Sequence, residues 1–288
     1  MSEFSDQYWT SRDGLKLHYR DYPGPSGEQG RPPVLCLPGL TRNARDFEKL
    51  AGALAGQRRV LCPDMRGRGD SAYSKDSATY NPLQYVEDVT ALLDEAGIPR
   101  FVAVGTSLGG LMTLLLAATA PERIAGAVLN DIGPEIEVTG LERIGSYVGQ
   151  GRTFPTWMHA ARALEEGHGA FFPENDIADW LDMAKRTMTV GSNGRIVFDY
   201  DMKIAEPFKQ AGGAAPPDLW PTLQGLAGKP VLLIRGALSD VLSEATFARM
   251  GEALPQAETL TLPRIGHAPT LDEPECVAAI RRLLDRAA

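Results

Sequence analysis

The stretch Phe101-Val102-Ala103-Val104-Gly105-Thr106-Ser107-Leu108-Gly109-Gly110 decides how this chain is read. Its first four residues are apolar and lead into a glycine, which suits a short strand covered on both faces. The run from Leu108 to Ala120 is mostly apolar and too long for a strand, so a helix is expected there. Between the two lies Gly-x-Ser-x-Gly. A strand turning sharply into a helix crowds the residues beside the turn, and glycine relieves that crowding. The turn also places Ser107 at a helix N-terminus, where backbone amides favour developing negative charge. A serine capping a helix would explain the same residue without chemistry. The two readings separate on whether a base and an acid are available elsewhere.

Working outward, short apolar runs alternate with longer amphipathic ones, the pattern of an α/β protein with a mostly parallel sheet. Strands are expected at Tyr8–Thr10, Leu15–Tyr22, Val34–Leu37, Arg59–Pro63, Phe101–Gly105, Ala125–Asn130, Val231–Arg235 and Glu258–Leu262, the first two as a hairpin across Asp13-Gly14. Helices are expected at Ala44–Ala55, Pro82–Ala96, Leu108–Ala120, Ser243–Leu254 and Glu273–Arg286. The alternation stops after Ala125–Asn130. Pro134 to Pro221 offers no convincing buried strand, only the aromatic-containing helical segments Pro155–Gly167 and Asp176–Thr189 and a Gly191–Gly194 turn. So long a stretch is not a plain loop. It reads as a helical cap over 134–221, left through Gln210–Pro217, with residues 1–133 and 222–288 forming the core domain.

A nucleophilic serine needs a base. Of the four histidines, His18 lies in an amphipathic N-terminal strand and reads as a surface or sheet residue. His159 and His168 fall in the cap, where solvated positions are the default and a pocket wall is the alternative. His267, in Pro263-Arg264-Ile265-Gly266-His267-Ala268-Pro269, sits in a loop after the last strand, held by Gly and Pro on both sides. It is the expected base. The acid should follow the serine and precede the histidine in the chain. Asp240 follows the penultimate strand in a Gly-containing loop and is placed first; Asp131, directly after Ala125–Asn130, is the competitor. Asp272 and Glu273 suit the start of the last helix instead. Oxyanion donors are expected from the amide of Leu108 and, in the loop Leu37-Pro38-Gly39-Leu40-Thr41-Arg42, from that of Leu40.

Five motifs together resemble the α/β-hydrolase superfamily in its small, cap-bearing bacterial form. They are Leu37-Pro38-Gly39-Leu40, Asp64-Met65-Arg66-Gly67-Arg68-Gly69-Asp70-Ser71, Gly105-Thr106-Ser107-Leu108-Gly109, Gly236-Ala237-Leu238-Ser239-Asp240 and Gly266-His267. The resemblance implies an eight-stranded mostly parallel sheet flanked by helices, with a cap inserted. It also implies a Ser107–His267–Asp240 triad, oxyanion amides at Leu40 and Leu108, and a turn near the site shaped by Asp64–Ser71. Relatives usually carry His-Gly where this chain has Pro38-Gly39. Ser107 also argues against the dehalogenases and epoxide hydrolases of this fold, which use Asp there.

Composition narrows the function. The charge is 29 − 37 = −8 over 288 residues, a sign that disfavours nucleic acid and anionic membranes. The start Met1–Asp6 lacks the basic and apolar run of a signal peptide, and no stretch is long enough to span a bilayer. Cys36, Cys62 and Cys276 are widely spaced, which fits reduced thiols in a cytoplasm. No cofactor or metal is expected, and the expected partner is a small-molecule substrate. The cap aromatics Tyr147, Phe154, Trp157, Phe171, Phe172 and Trp180, with Met158, should build a cap core and line an apolar pocket. Arg42 could receive a substrate carboxylate, against the plainer reading of a surface ion pair. The expected activity is hydrolysis of a small carboxylic ester, thioester or lactone through an acyl-enzyme. A carbon–carbon hydrolase of ring-fission diketones ranks second, because Thr106 stands where that group has Asn. A hydrolase-like ligand receptor with little turnover ranks third.

Overall fold

The fold is taken from a computed structural model describing residues 3–25, 30–210 and 218–287. The sheet strands of the first half are β1 (Ser5–Thr10), β2 (Lys16–Tyr22), β3 (Val34–Leu37), β4 (Val60–Pro63), β5 (Phe101–Thr106) and β6 (Ile124–Asn130). Helices α1 (Glu48–Leu54), α2 (Pro82–Glu95) and α3 (Leu108–Thr119) run between them. The chain then leaves the sheet for α4 (Val138–Tyr147), β7 (Thr153–Phe154), α5 (Trp157–His168), α6 (Ile177–Thr187), β8 (Met188–Val190), β9 (Ile196–Phe198) and α7 (Ala205–Gln210). It returns with β10 (Val231–Gly236), α8 (Glu244–Ala253), β11 (Glu258–Leu262) and α9 (Pro274–Arg286).

The eight-stranded sheet has the order β1-β2-β4-β3-β5-β6-β10-β11, and only β2 runs against its neighbours. The expected hairpin is present: Thr10 pairs with Lys16 across a turn in which Gly14 adopts φ 87°. Successive strand residues feed opposite faces. Leu35, Leu37, Ala103, Leu129 and Leu233 join α2, α3 and α8 in one core, while Val34, Cys36, Val104, Val128 and Ile234 join α1 and α9 in the other. Central strands are therefore apolar except toward their C-terminal ends, which is why they were legible as dense runs.

The expectation of a purely helical segment between β6 and β10 is corrected. Strands β7, β9 and β8 form a three-stranded antiparallel sheet whose Phe154, Met188 and Ile196 are buried against Leu164, Trp180 and Met183 of the neighbouring helices and Phe172 of the connection between them. The Gly191–Gly194 turn joins β8 to β9. The expected exit at Gln210–Pro217 lies, from Ala211 onward, outside the described residues. All three cysteines are buried and free. No helix among the described residues is long and apolar enough to cross a membrane.

Candidate active site

The site is built at the C-terminal ends of β5 and β6. Ser107 follows β5 with φ 52°, a left-handed conformation that side-chain-bearing residues rarely adopt. The chain holds it there because the flanking glycines leave room for nothing else. A Cβ at Gly105 would meet the Gly109 carbonyl, and one at Gly109 would run into the Leu37 carbonyl of β3. The Ser107 N–H donates to the Asn130 carbonyl at 3.0 Å, tying the turn to the end of β6.

His267 stands between the serine and a buried carboxylate. His267 Nε2 lies 2.8 Å from Ser107 Oγ, and His267 Nδ1 lies 2.7 Å from Asp131 Oδ2. A carboxylate accepts but does not donate, so Nδ1 carries the hydrogen and Nε2 accepts from the serine hydroxyl. The acid partner corrects the sequence reading. Asp240 does not reach His267; it receives a two-point contact from Arg143 Nε and Nη2 at 2.5 and 2.8 Å. Burial alone would raise the Asp240 pKa, but the paired guanidinium brings it below the ordinary value. The loop after β10 contributes Ser239 instead, whose hydroxyl donates to Asp131 Oδ2 at 2.6 Å, while the Gly236 N–H donates to Oδ1 at 2.8 Å. Asp131 is fully buried and takes φ 55°, which turns its side chain from the end of β6 toward the histidine. β6 lies between β5 and β10, so this position is the nearer of the two to Ser107.

Gly39 brings the loop after β3 against the serine: a Cβ on it would lie 3.9 Å from Ser107 Cβ. The amides of Leu40 and Leu108 donate to no protein acceptor among the described residues. Unspent donors beside the serine can stabilise an oxyanion. The Leu40 peptide is fixed by Arg68, whose Nε and Nη2 donate to the Leu40 carbonyl at 2.9 and 2.7 Å. Asn130 is a second brace, donating from Nδ2 to Thr106 Oγ1 at 3.0 Å and to the Pro269 carbonyl at 2.9 Å. It thereby connects the serine turn to the histidine loop.

A cavity of about 300 Å³ opens over the serine, lined by Ser107 and His267 on one side and by Tyr147, Leu164, Phe172 and Met188 on the other. His168 is in this wall rather than in solvent, edge-on to Tyr147 with ring centroids 5.5 Å apart. Burial, then Arg143 and Arg42, push its pKa down to about 4. Arg42 is ion-paired with Asp46 at 2.5 and 2.7 Å, in the cavity wall rather than at the surface.

Comparison with known proteins agrees with this geometry. The pattern that defines the α/β-hydrolase fold family matches residues 32–274. The chain belongs to the α/β-hydrolase fold family. It is similar to a 3-hydroxybutyrate-oligomer hydrolase from Cupriavidus necator, 35% identical over 266 residues and covering 88% of each chain. It is similar also to an esterase from Mycobacterium tuberculosis, 26% identical over 262 residues, 88% of this chain and 83% of that one. A crystal structure of an α/β hydrolase from Novosphingobium aromaticivorans shares 64% identity over 99% of each chain, with a TM-score of 0.94.

In this α/β hydrolase the Asp64–Ser71 segment does more than shape a turn. Asp64 accepts from the Ala44 and Asp70 amides at 2.6 and 3.0 Å and from His18 Nδ1 at 2.7 Å. Of its two readings His18 takes the sheet one, buried within β2. His18, Asp64 and Asp70 stand close enough to hold a metal, but these bonds already occupy Asp64. Sequence reasoning missed Asn130, Arg68 and Ser239. Only Arg68 left a signal, as a second arginine inside a glycine-rich motif.

Proposed function

We propose that this α/β hydrolase is a serine hydrolase of small carboxylic esters, with Ser107 as nucleophile, His267 as base and Asp131 as the acid that orients it. The observation that carries the reading is the continuous relay from Ser107 Oγ through His267 to Asp131, at 2.8 and 2.7 Å. His267 Nε2 takes the hydroxyl proton as Ser107 Oγ attacks the ester carbonyl. The carbonyl oxygen, now anionic, faces the Leu40 and Leu108 amides. Imidazolium returns its proton to the departing alcohol, and water activated by the same histidine clears the acyl-enzyme. The described residues of 134–221 act as the cap, closing a cavity of about 300 Å³, near the lower end for small-molecule sites. Thioesters and lactones pass through the same steps. Similarity to the 3-hydroxybutyrate-oligomer hydrolase favours esters of short hydroxy acids.

The test is covalent labelling by a fluorophosphonate with mass mapping of the adduct, alongside hydrolysis of aryl esters. Ser107 should carry the label and Ser107→Ala should abolish turnover. An adduct on another residue, or none on folded protein, overturns the reading.

A further inference from the structure

The cavity wall is more basic than ester hydrolysis requires. Four guanidinium groups, from Arg42, Arg143, Arg152 and Arg186, line it against one carboxylate, Asp46. Two are committed: Arg42 to Asp46 and Arg143 to Asp240, each through two hydrogen bonds. Arg186 is not. It stands in the last turn of α6, and its Nε is closed off from solvent without any hydrogen-bond acceptor. No carboxylate lies within ion-pair distance of Arg186 among the described residues. A helix C-terminus welcomes a cation, but that does not satisfy a buried N–H, which proteins rarely leave unmatched. Arg152, at the mouth, lies over the Phe154 ring at 5.4 Å from its centroid and likewise has no carboxylate partner among the described residues. His168 in the same wall resists protonation, partly because Arg143 and Arg42 face it, so the wall's positive charge rests on its arginines.

We propose, resting on the hydrolase reading above, that Arg186 and Arg152 form a carboxylate subsite and that the preferred substrate is an ester carrying a free carboxylate. A guanidinium fork matches a carboxylate in plane and spacing. The apolar lining from Leu164, Phe172, Met183 and Met188 suits the short aliphatic chain between carboxylate and ester bond. Hydrolysis then adds water across the ester, releasing a carboxylic acid and an alcohol, one of which retains the anchored carboxylate.

The experiment compares kcat/KM for the linear dimer of 3-hydroxybutyrate as free acid and as its primary amide, using the full chain. The acid should be favoured by about ten- to a hundredfold, the range expected for a charged hydrogen-bonded contact. Added salt should lower that ratio by screening the charge. Arg186→Met should lower the ratio severalfold, to what Arg152 alone supplies, and Arg186→Lys should restore part of it. Each ratio is taken within one protein, so a partly folded variant does not distort it. The wild-type ratio and its salt dependence decide the matter if Arg186→Met fails to fold. Equal turnover of acid and amide by the wild type, or a ratio unchanged in Arg186→Met, overturns the proposal. If neither dimer is turned over while Ser107 takes the fluorophosphonate, the substrate class alone is wrong. If Ser107 is also unlabelled, the hydrolase reading falls with it.

Discussion

Asp131 and Asp240 both follow sheet strands and both precede His267, so chain order does not separate them. What separates them is the backbone angle of Asp131, φ 55°, and the identity of the nearest cation to Asp240. Neither is written in residue type, which is why Ser107 and His267 were legible and the carboxylate that His267 contacts was not. Asp131→Asn should lower kcat by about 10⁴, the scale seen when a triad acid becomes its amide. Asp240→Asn removes a partly exposed ion pair and should lower kcat/KM by less than about tenfold. Steady-state kinetics on one aryl ester checks both, and the opposite ranking returns the acid to Asp240. His168 gives a test through pH. Its folded pKa of about 4 lies below the ordinary 6.5, so between those values the unfolded chain takes up a proton that the folded chain refuses. Stability should therefore fall as pH drops from 6.5 toward 4, by up to about 3 kcal/mol from this residue. Urea midpoints at pH 7 and pH 5 should differ less in His168→Gln than in wild type; an unchanged difference rejects the assignment.

Among the elements, legibility followed length and end signals. Asn81 caps α2 with Pro82 beside it, and Ser243 caps α8, so both helices were found to within two residues. β7 to β9 are two or three residues long and show no period, and α4 has only Gly140 and Ile144 buried, so nothing in their spacing stood out. The loop after β3 depends on a partner far along the chain. Arg68 is fully buried, and its Nε and Nη2 donate to the Leu40 carbonyl while Nη1 donates to the Arg66 carbonyl and Tyr85 hydroxyl. Arg68→Met should release the Leu40 peptide and lower kcat by about 10²–10³, the effect of losing one oxyanion donor, with little change in KM. A rise in KM at constant kcat would assign Arg68 to substrate binding instead.

For the whole molecule, alternating apolar runs were sufficient to place a parallel sheet between helical layers, because strands buried on both faces admit few polar residues. They did not announce the buried charges that knit the hairpin to the helical layer. Arg66, wholly buried, donates to Asp88 at 2.7 and 2.6 Å and to Asp13 at 2.8 and 2.9 Å. Asp88 is wholly buried too, and desolvation holds its pKa above the usual value despite Arg66. Arg66→Met would strand that carboxyl and should destabilise the fold by about 3–5 kcal/mol. At about 2–4 °C per kcal/mol for a large domain, the melting temperature should fall by roughly 6–20 °C, measured by circular dichroism. A fall under about 3 °C would mean that the network contributes little.

With Asp131, at the end of β6, as the proposed acid, the loop after β10 is freed for other uses. Ser239 alone ties that loop to Asp131 through its side chain, whereas Leu238 is exposed and Asp240 reaches outward to α4. The loop can thus be rewritten without touching proton transfer, provided Ser239 is kept. Because Asp240 holds Arg143 of the cavity wall, randomising Asp240 is accordingly a place to begin reshaping substrate choice by directed evolution, since diversity there should leave most library members able to turn over.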